Sequence, residues 1–219
     1  MRLSQIVGAQ VVRLLEPNRL TEGRESYYLY DLVKGIEARY RFLQAPKLVD
    51  EYDCTKGIRF LNGVFNKHVG VDRFELFANG IICEGKFATE ELEGFVEDVF
   101  GWAEKEFGIP PSKGPQAYLS HLEIHSETDI AEKFAAFSTF GQNLTDLLRS
   151  YGQATAEFKV SMIGLHSDQT ETPFPKATAF VFDRRQGKPY SEQLYFSSAP
   201  LKTADHLRVL DKLEGLLAC

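Results

Sequence analysis

Between residues 58 and 86 three strand-like runs, near 58–66, 70–78 and 80–86, follow one another with almost nothing between them. Connections that short join strands antiparallel, because a parallel crossover needs roughly a dozen residues or more. Phe74 to Ala78 and Ile81 to Glu84 flank Asn79-Gly80, and both turn residues tolerate the positive φ that a type I′ hairpin demands. The remaining elements have to be arranged around this meander.

Leu3, Ile6, Val7, Gln10, Val11 and Leu14 follow helical spacing and predict a helix ending before Pro17, although the Ile6-Val7 and Val11-Val12 pairs would also suit a strand. Glu16 to Glu25, with its Pro, Asn and Gly, reads as a loop. From Ser26 a second helix is expected, striped by Leu29, Leu32, Val33, Ile36, Tyr40 and Leu43. A third runs from about Ala88 to Phe107, capped by Thr89, with Glu90 and Glu91 at its positive end and Gly108 at its stop. Its outward face carries Glu93, Glu97, Asp98, Glu104 and Glu106 and reads as a solvated face.

Past Pro110-Pro111-Ser112-Lys113-Gly114-Pro115, a linker-like stretch, a strand over 117–125 and a capping-box-like Ser126-Glu127-Thr128-Asp129 lead into a helix over about 129–150. Ile130, Phe134, Phe137, Leu144, Leu147 and Leu148 form its expected buried stripe, interrupted by Gly141. Strands near 155–165, 177–183 and 192–198, with a turn at Arg184 to Lys188, precede a last helix over 203–217 carrying Leu207, Leu210, Leu213 and Leu217. The fold class is therefore α+β, antiparallel sheet flanked by helices. Two similar α-β-β-β-α halves, 1–109 and 116–219, either stand apart or share one continuous domain. The strand over 117–125 is an extra element in the second half, and no residue-level self-similarity supports a duplication.

With 43% hydrophobic and 26% charged residues, the chain has the composition of a folded protein and needs no disulfide or metal staple. Cys54, Cys83 and Cys219 are odd in number and contain no CxxC pair, which argues for a reducing, cytoplasmic setting. The first residues lack the order of a signal peptide, no prenylation box surrounds Cys219, and no apolar run approaches the roughly 20 residues needed to span a bilayer. A net charge of −6 argues against nucleic acid as partner.

One cluster has metal-ligand chemistry. His121, Glu123 and His125 would emerge from one face of a strand while Leu122 and Ile124 point the other way. The outer two would lie about 13 Å apart, too far for one ion, so Glu123 would pair with one histidine and His166 or Asp168 would complete the set. HExxH spacing is absent, which sets the zinc peptidases aside. The plain alternative is a polar row on a solvated sheet. Glu157-Phe158-Lys159 matches the E-x-K of metal-dependent nucleases, but further strands follow it and the nearest upstream acid, Asp146, sits on a helix; surface ion pairing explains it better. Neither a G-x-S-x-G elbow nor a glycine-rich phosphate loop is present. Tyr27, Tyr28, Tyr30 and Tyr40 crowd the second helix with Arg24, Arg39 and Arg41, a composition enriched at interfaces, and Tyr27 and Tyr30 fall partly off the apolar stripe.

These observations favour a non-enzymatic protein that works by protein–protein contact or self-association, without a cofactor. The alternative is a metal-dependent hydrolase in which His121, Glu123, His125 and His166 hold a divalent ion such as zinc or manganese, with Glu157 or Asp168 as outer-sphere group or base.

Overall fold

The computed structural model describes residues 1–15, 26–109, 114–134, 137–153, 158–168 and 177–218. Of Ser26, Tyr27, Ala131, Glu132 and Ala218 it describes the backbone alone. The elements, in chain order, are β1 (Arg2–Leu14), α1 (Ser26–Tyr40), β2 (Ile58–Phe65), β3 (Val69–Phe77), β4 (Gly80–Gly85), α2 (Thr89–Phe107), β5 (Gln116–His125), α3 (Ile130–Lys133), α4 (Ser138–Ser150), β6 (Met162–Leu165), β7 (Phe180–Arg184), β8 (Leu194–Ala199) and α5 (Thr203–Ala218). All strands join one 8-stranded antiparallel sheet in the order β2-β3-β4-β1-β5-β8-β7-β6. The fold is α+β, and the halves share this sheet through the β1–β5 pairing. Among the described residues no helix is long and apolar enough to cross a membrane.

The first segment corrects the sequence reading, for it is a strand and not a helix. β1 pairs with β4 on one side and β5 on the other, and it buries Ala9, Val11, Arg13 and Leu15 in strict alternation. Register shifts between Leu3 and Gln5 and between Ile6 and Gly8 reset that alternation. A bulge inserts one residue, so Leu3, Ile6, Val7 and Val11 acquire a spacing that imitates a helix.

Several expectations hold with adjusted bounds, while details change. The β3–β4 hairpin forms, but its loop is Ala78-Asn79, and neither Asn79 nor Gly80 takes positive φ. Gly80 is needed for close approach instead: a Cβ there would lie 2.9 Å from the Arg13 carbonyl oxygen of β1. Ala88, not Thr89, caps α2, with its N–H donating to Glu91. Gly108 ends that helix in the left-handed conformation as expected. Leu43 lies beyond α1 and is exposed. The helix expected over 129–150 breaks into α3 and α4, and part of its stripe turns to the surface.

Once β1 is a strand, each half reads strand, helix, three strands, helix, with α3 as an insertion. The sheet order is then the same four-strand order written forwards and backwards. Gly85 and Ala199 end their strands, Thr89 and Thr203 open the helices that follow, and Ala9 and Ser120 pair with Gly85 and Ala199 respectively. Ala9 and Ser120 also pair with each other, which puts an approximate two-fold axis through the middle of the sheet. A reciprocal contact crosses that axis: the Thr89 N–H donates to the Thr203 hydroxyl at 3.0 Å and the Thr203 N–H to the Thr89 hydroxyl at 2.7 Å. The first N–H of each helix is thus accepted by a hydroxyl of the other half, which satisfies a donor a helix leaves unpaired.

Helices α1, α2 and α5 cover one face. In the first half α1 buries Leu32, Val33, Ile36 and Tyr40, and α2 buries Leu92, Phe95, Val96 and Val99, around Phe42, Phe60 and Phe74. The Phe95 ring meets Tyr40 at 4.8 Å and Phe74 at 5.4 Å, both edge to face. A smaller core, with Leu122, Ile124, Phe182, Tyr195 and Leu210, fills the second half.

Candidate interaction surface

β5 presents His121, Glu123 and His125, all half-buried, on the sheet face opposite α1, α2 and α5, as its alternation requires, while Leu122 and Ile124 are buried on the other. The side chains do not converge on one another. Glu123 accepts from the Ser4 hydroxyl at 3.0 Å and pairs with Arg185 at 3.1 Å, so a guanidinium answers its charge. His121 stacks on Phe196 at 5.7 Å, and its Nδ1 is buried with no hydrogen-bond partner. Burial holds the His121 pKa below the ordinary histidine value, and the carboxylate that pulls it back is Glu84 of β4. Glu84 accepts from Gln10 at 2.6 Å and from Arg73. Burial pushes Glu84 up, but these hydrogen bonds outweigh it and hold its pKa below the usual carboxylate range. His166 and Asp168 lie beyond the end of β6 and are exposed. Among the described residues no three of His, Cys, Asp and Glu are grouped to hold a metal ion.

Glu157 lies outside the described residues. Its E-x-K companion Lys159 sits over the Tyr190 ring at 5.6 Å, and Asp146 pairs with Gln142 and Arg149 along α4. The Tyr27 side chain also lies outside the described set. Tyr30 is exposed and stacks on Tyr52 at 5.7 Å with Lys34 above its ring at 6.0 Å.

A polar cluster that the sequence reading missed lies under α5. His206 receives the Ser120 hydroxyl at Nδ1, 2.8 Å, and its Nε2 meets Ser197 at 2.8 Å, whose hydroxyl donates to the Val181 carbonyl at 2.9 Å. Because Ser197 spends its proton on Val181, Nε2 must carry the imidazole proton and Nδ1 must accept. Ser120, Ser197 and His206 have no solvent exposure, and burial, with His121 nearby, pushes the His206 pKa down to about 4. A serine beside an imidazole has the parts of a nucleophile and its base, but no substrate reaches this one. It is a satisfied buried network. The signal was present: His206 stands at helical spacing with Leu210, Leu213 and Leu217 on the stripe that faces the sheet.

Helix α4 carries the largest departure from expectation. Its buried residues are Gly141 and Thr145, not its leucines and phenylalanines. Thr145 accepts the Phe158 N–H at 3.2 Å, and a Cβ on Gly141 would lie 2.3 Å from the Phe158 carbonyl oxygen, so the helix seats its small-residue side on that backbone. Phe137, Phe140, Leu147 and Tyr151 are then left 57%, 63%, 53% and 68% exposed. Phe140, Leu144, Leu147 and Tyr151 repeat the spacing of Leu29, Val33, Ile36 and Tyr40 in α1. The same stripe is thus packed on the sheet in one half and turned to solvent in the other. At about 200 Å² per large aromatic side chain, the four exposed residues present roughly 450 Å² of mostly apolar surface, as large as the largest patch on an ordinary monomer. Comparison with protein-family models, curated proteins and solved structures finds no match.

Proposed function

We propose that this protein acts through protein–protein contact, as a subunit or adaptor of a larger assembly, with α4 as its principal contact face. The observation that supports this reading is the α4 stripe, on which Phe140, Leu147 and Tyr151 are exposed where their counterparts Leu29, Ile36 and Tyr40 in α1 pack on the first core. Covering roughly 450 Å² of such surface is worth about 11 kcal/mol before association costs are subtracted, enough to drive binding but not to make it tight. Exposed Tyr30 offers a second, smaller contact. The setting we propose is the cytoplasm, which suits the free thiols of Cys54 and Cys83.

The test is a photo-crosslinking amino acid at position 140 in the native cell, followed by mass spectrometry of the adducts. A discrete protein adduct, lost when Leu147→Glu is added, is the expected result. A chain that yields no adduct at position 140 has no partner on α4.

A further inference from the structure

We infer that the occupant of the α4 face is a second copy of this chain, its own α4 laid antiparallel across a two-fold axis. The inference rests on the contact reading just given and names its partner. Spacing is the first argument. Phe137, Phe140, Leu144, Leu147 and Tyr151 recur at alternating intervals of three and four residues. That is the a/d seam of helix pairs, where knobs of one helix enter holes of another with the same seam. A second α4 supplies that seam without any further assumption, and the two-fold axis sets the helix dipoles antiparallel.

Charge is the second argument. The chain as a whole is at −6, so two copies repel at long range, and on α2 the carboxylates of Glu93, Glu97 and Asp98 are already taken by Lys202, Arg13 and Arg39 of the same chain. α4 holds one acid and one base, Asp146 and Arg149, already paired with each other at 3.4 Å. It is an apolar, electrically neutral face on which like-charged copies can meet.

Area is the third. Twice roughly 450 Å², with half-buried Leu144 inside the seam and half-buried Leu148 beside it, comes to about 1,000 Å², the lower bound for a specific interface. A contact of that size belongs with the weak, transient interfaces.

The experiment is sedimentation of the full chain from about 1 to 500 µM for wild type, Phe140→Glu, Leu147→Glu and, as a control on exposed Leu216 of α5, Leu216→Glu. Circular dichroism checks that each variant folds, which surface positions allow. The expected result is a monomer–dimer equilibrium weakened about a hundred-fold or more by either α4 variant and unchanged by the control. A monomer at every concentration overturns the proposal, as does a dimer equally strong in both α4 variants. The crosslinking result then decides what remains. An adduct of position 140 with a different protein keeps the contact reading and replaces the second copy by that partner; no adduct removes both.

Discussion

Acidification should expose the buried imidazole of His206 as a specific weakness. In the unfolded chain its pKa is the ordinary 6.5, and in the folded protein burial pushes it down to about 4. Between those values the unfolded state binds the extra proton and the native state refuses it, so stability is complete above pH 6.5 and falls as pH drops. Because His206 is fully buried, no discount for solvent screening applies. The loss from this group amounts to about 2 kcal/mol at pH 5 and about 3 kcal/mol by pH 4. The approximate symmetry supplies its own control, since the counterparts of Ser120, Ser197 and His206 are Ala9, Cys83 and Leu92, all buried and packed in the first core. The triple variant Ser120→Ala, Ser197→Cys, His206→Leu replaces the hydrogen-bonded set by that apolar one. Exchanging all partners together should be near neutral at pH 8, whereas His206→Leu alone strands a buried hydroxyl and should cost about 1–3 kcal/mol. Urea unfolding of wild type and triple variant from pH 8 to pH 5 reads the difference, and His121, present in both, cancels. Parallel stability curves would refute the argument, because they would mean His206 is not desolvated in the native state.

Thr89→Val and Thr203→Val should destabilise by similar amounts, about 1–2 kcal/mol each, because each strands the other half's first helical N–H; a cost at one site and none at the other in urea denaturation would break the reciprocity. Gly141→Ala drives a Cβ into the Phe158 carbonyl oxygen, and should speed amide exchange across α4 about ten-fold or more while leaving the sheet protected; an unchanged exchange pattern would show that α4 is not seated there. Burial pushes the Cys83 thiol far up, so peptide mapping should find it unmodified by a thiol reagent at pH 8 in the native state and modified in urea; rapid native labelling would contradict the core packing of β4.

The local signals of this chain reach some way. Short connections between β2, β3 and β4 made the sheet antiparallel, the Gly108 stop of α2 stood in the sequence, and the alternation of His121, Glu123 and His125 against Leu122 and Ile124 fixed the faces of β5. Each of these depends on residues adjacent along the chain. β1 was misread because its bulges are set by two neighbours, β4 and β5, whose registers cannot be read from residues 2 to 14 alone. The likeness of the two halves stood in their order of elements but stayed incomplete for the same reason, since the strand over 117–125 is an extra element until β1 is a strand matching β5.

What the sequence by itself determined, then, is the class of fold, the meander and the stripes. Whether a stripe ends up inside was decided by tertiary structure. Leu29, Val33, Ile36 and Tyr40 meet a sheet and an α2 that receive them, whereas at the same spacing Phe140, Leu147 and Tyr151 are turned outward, with Leu144 half-buried, because Gly141 and Thr145 dock on the Phe158 backbone instead. Burial depends on what stands opposite a side chain, and residues distant in sequence supply that surface.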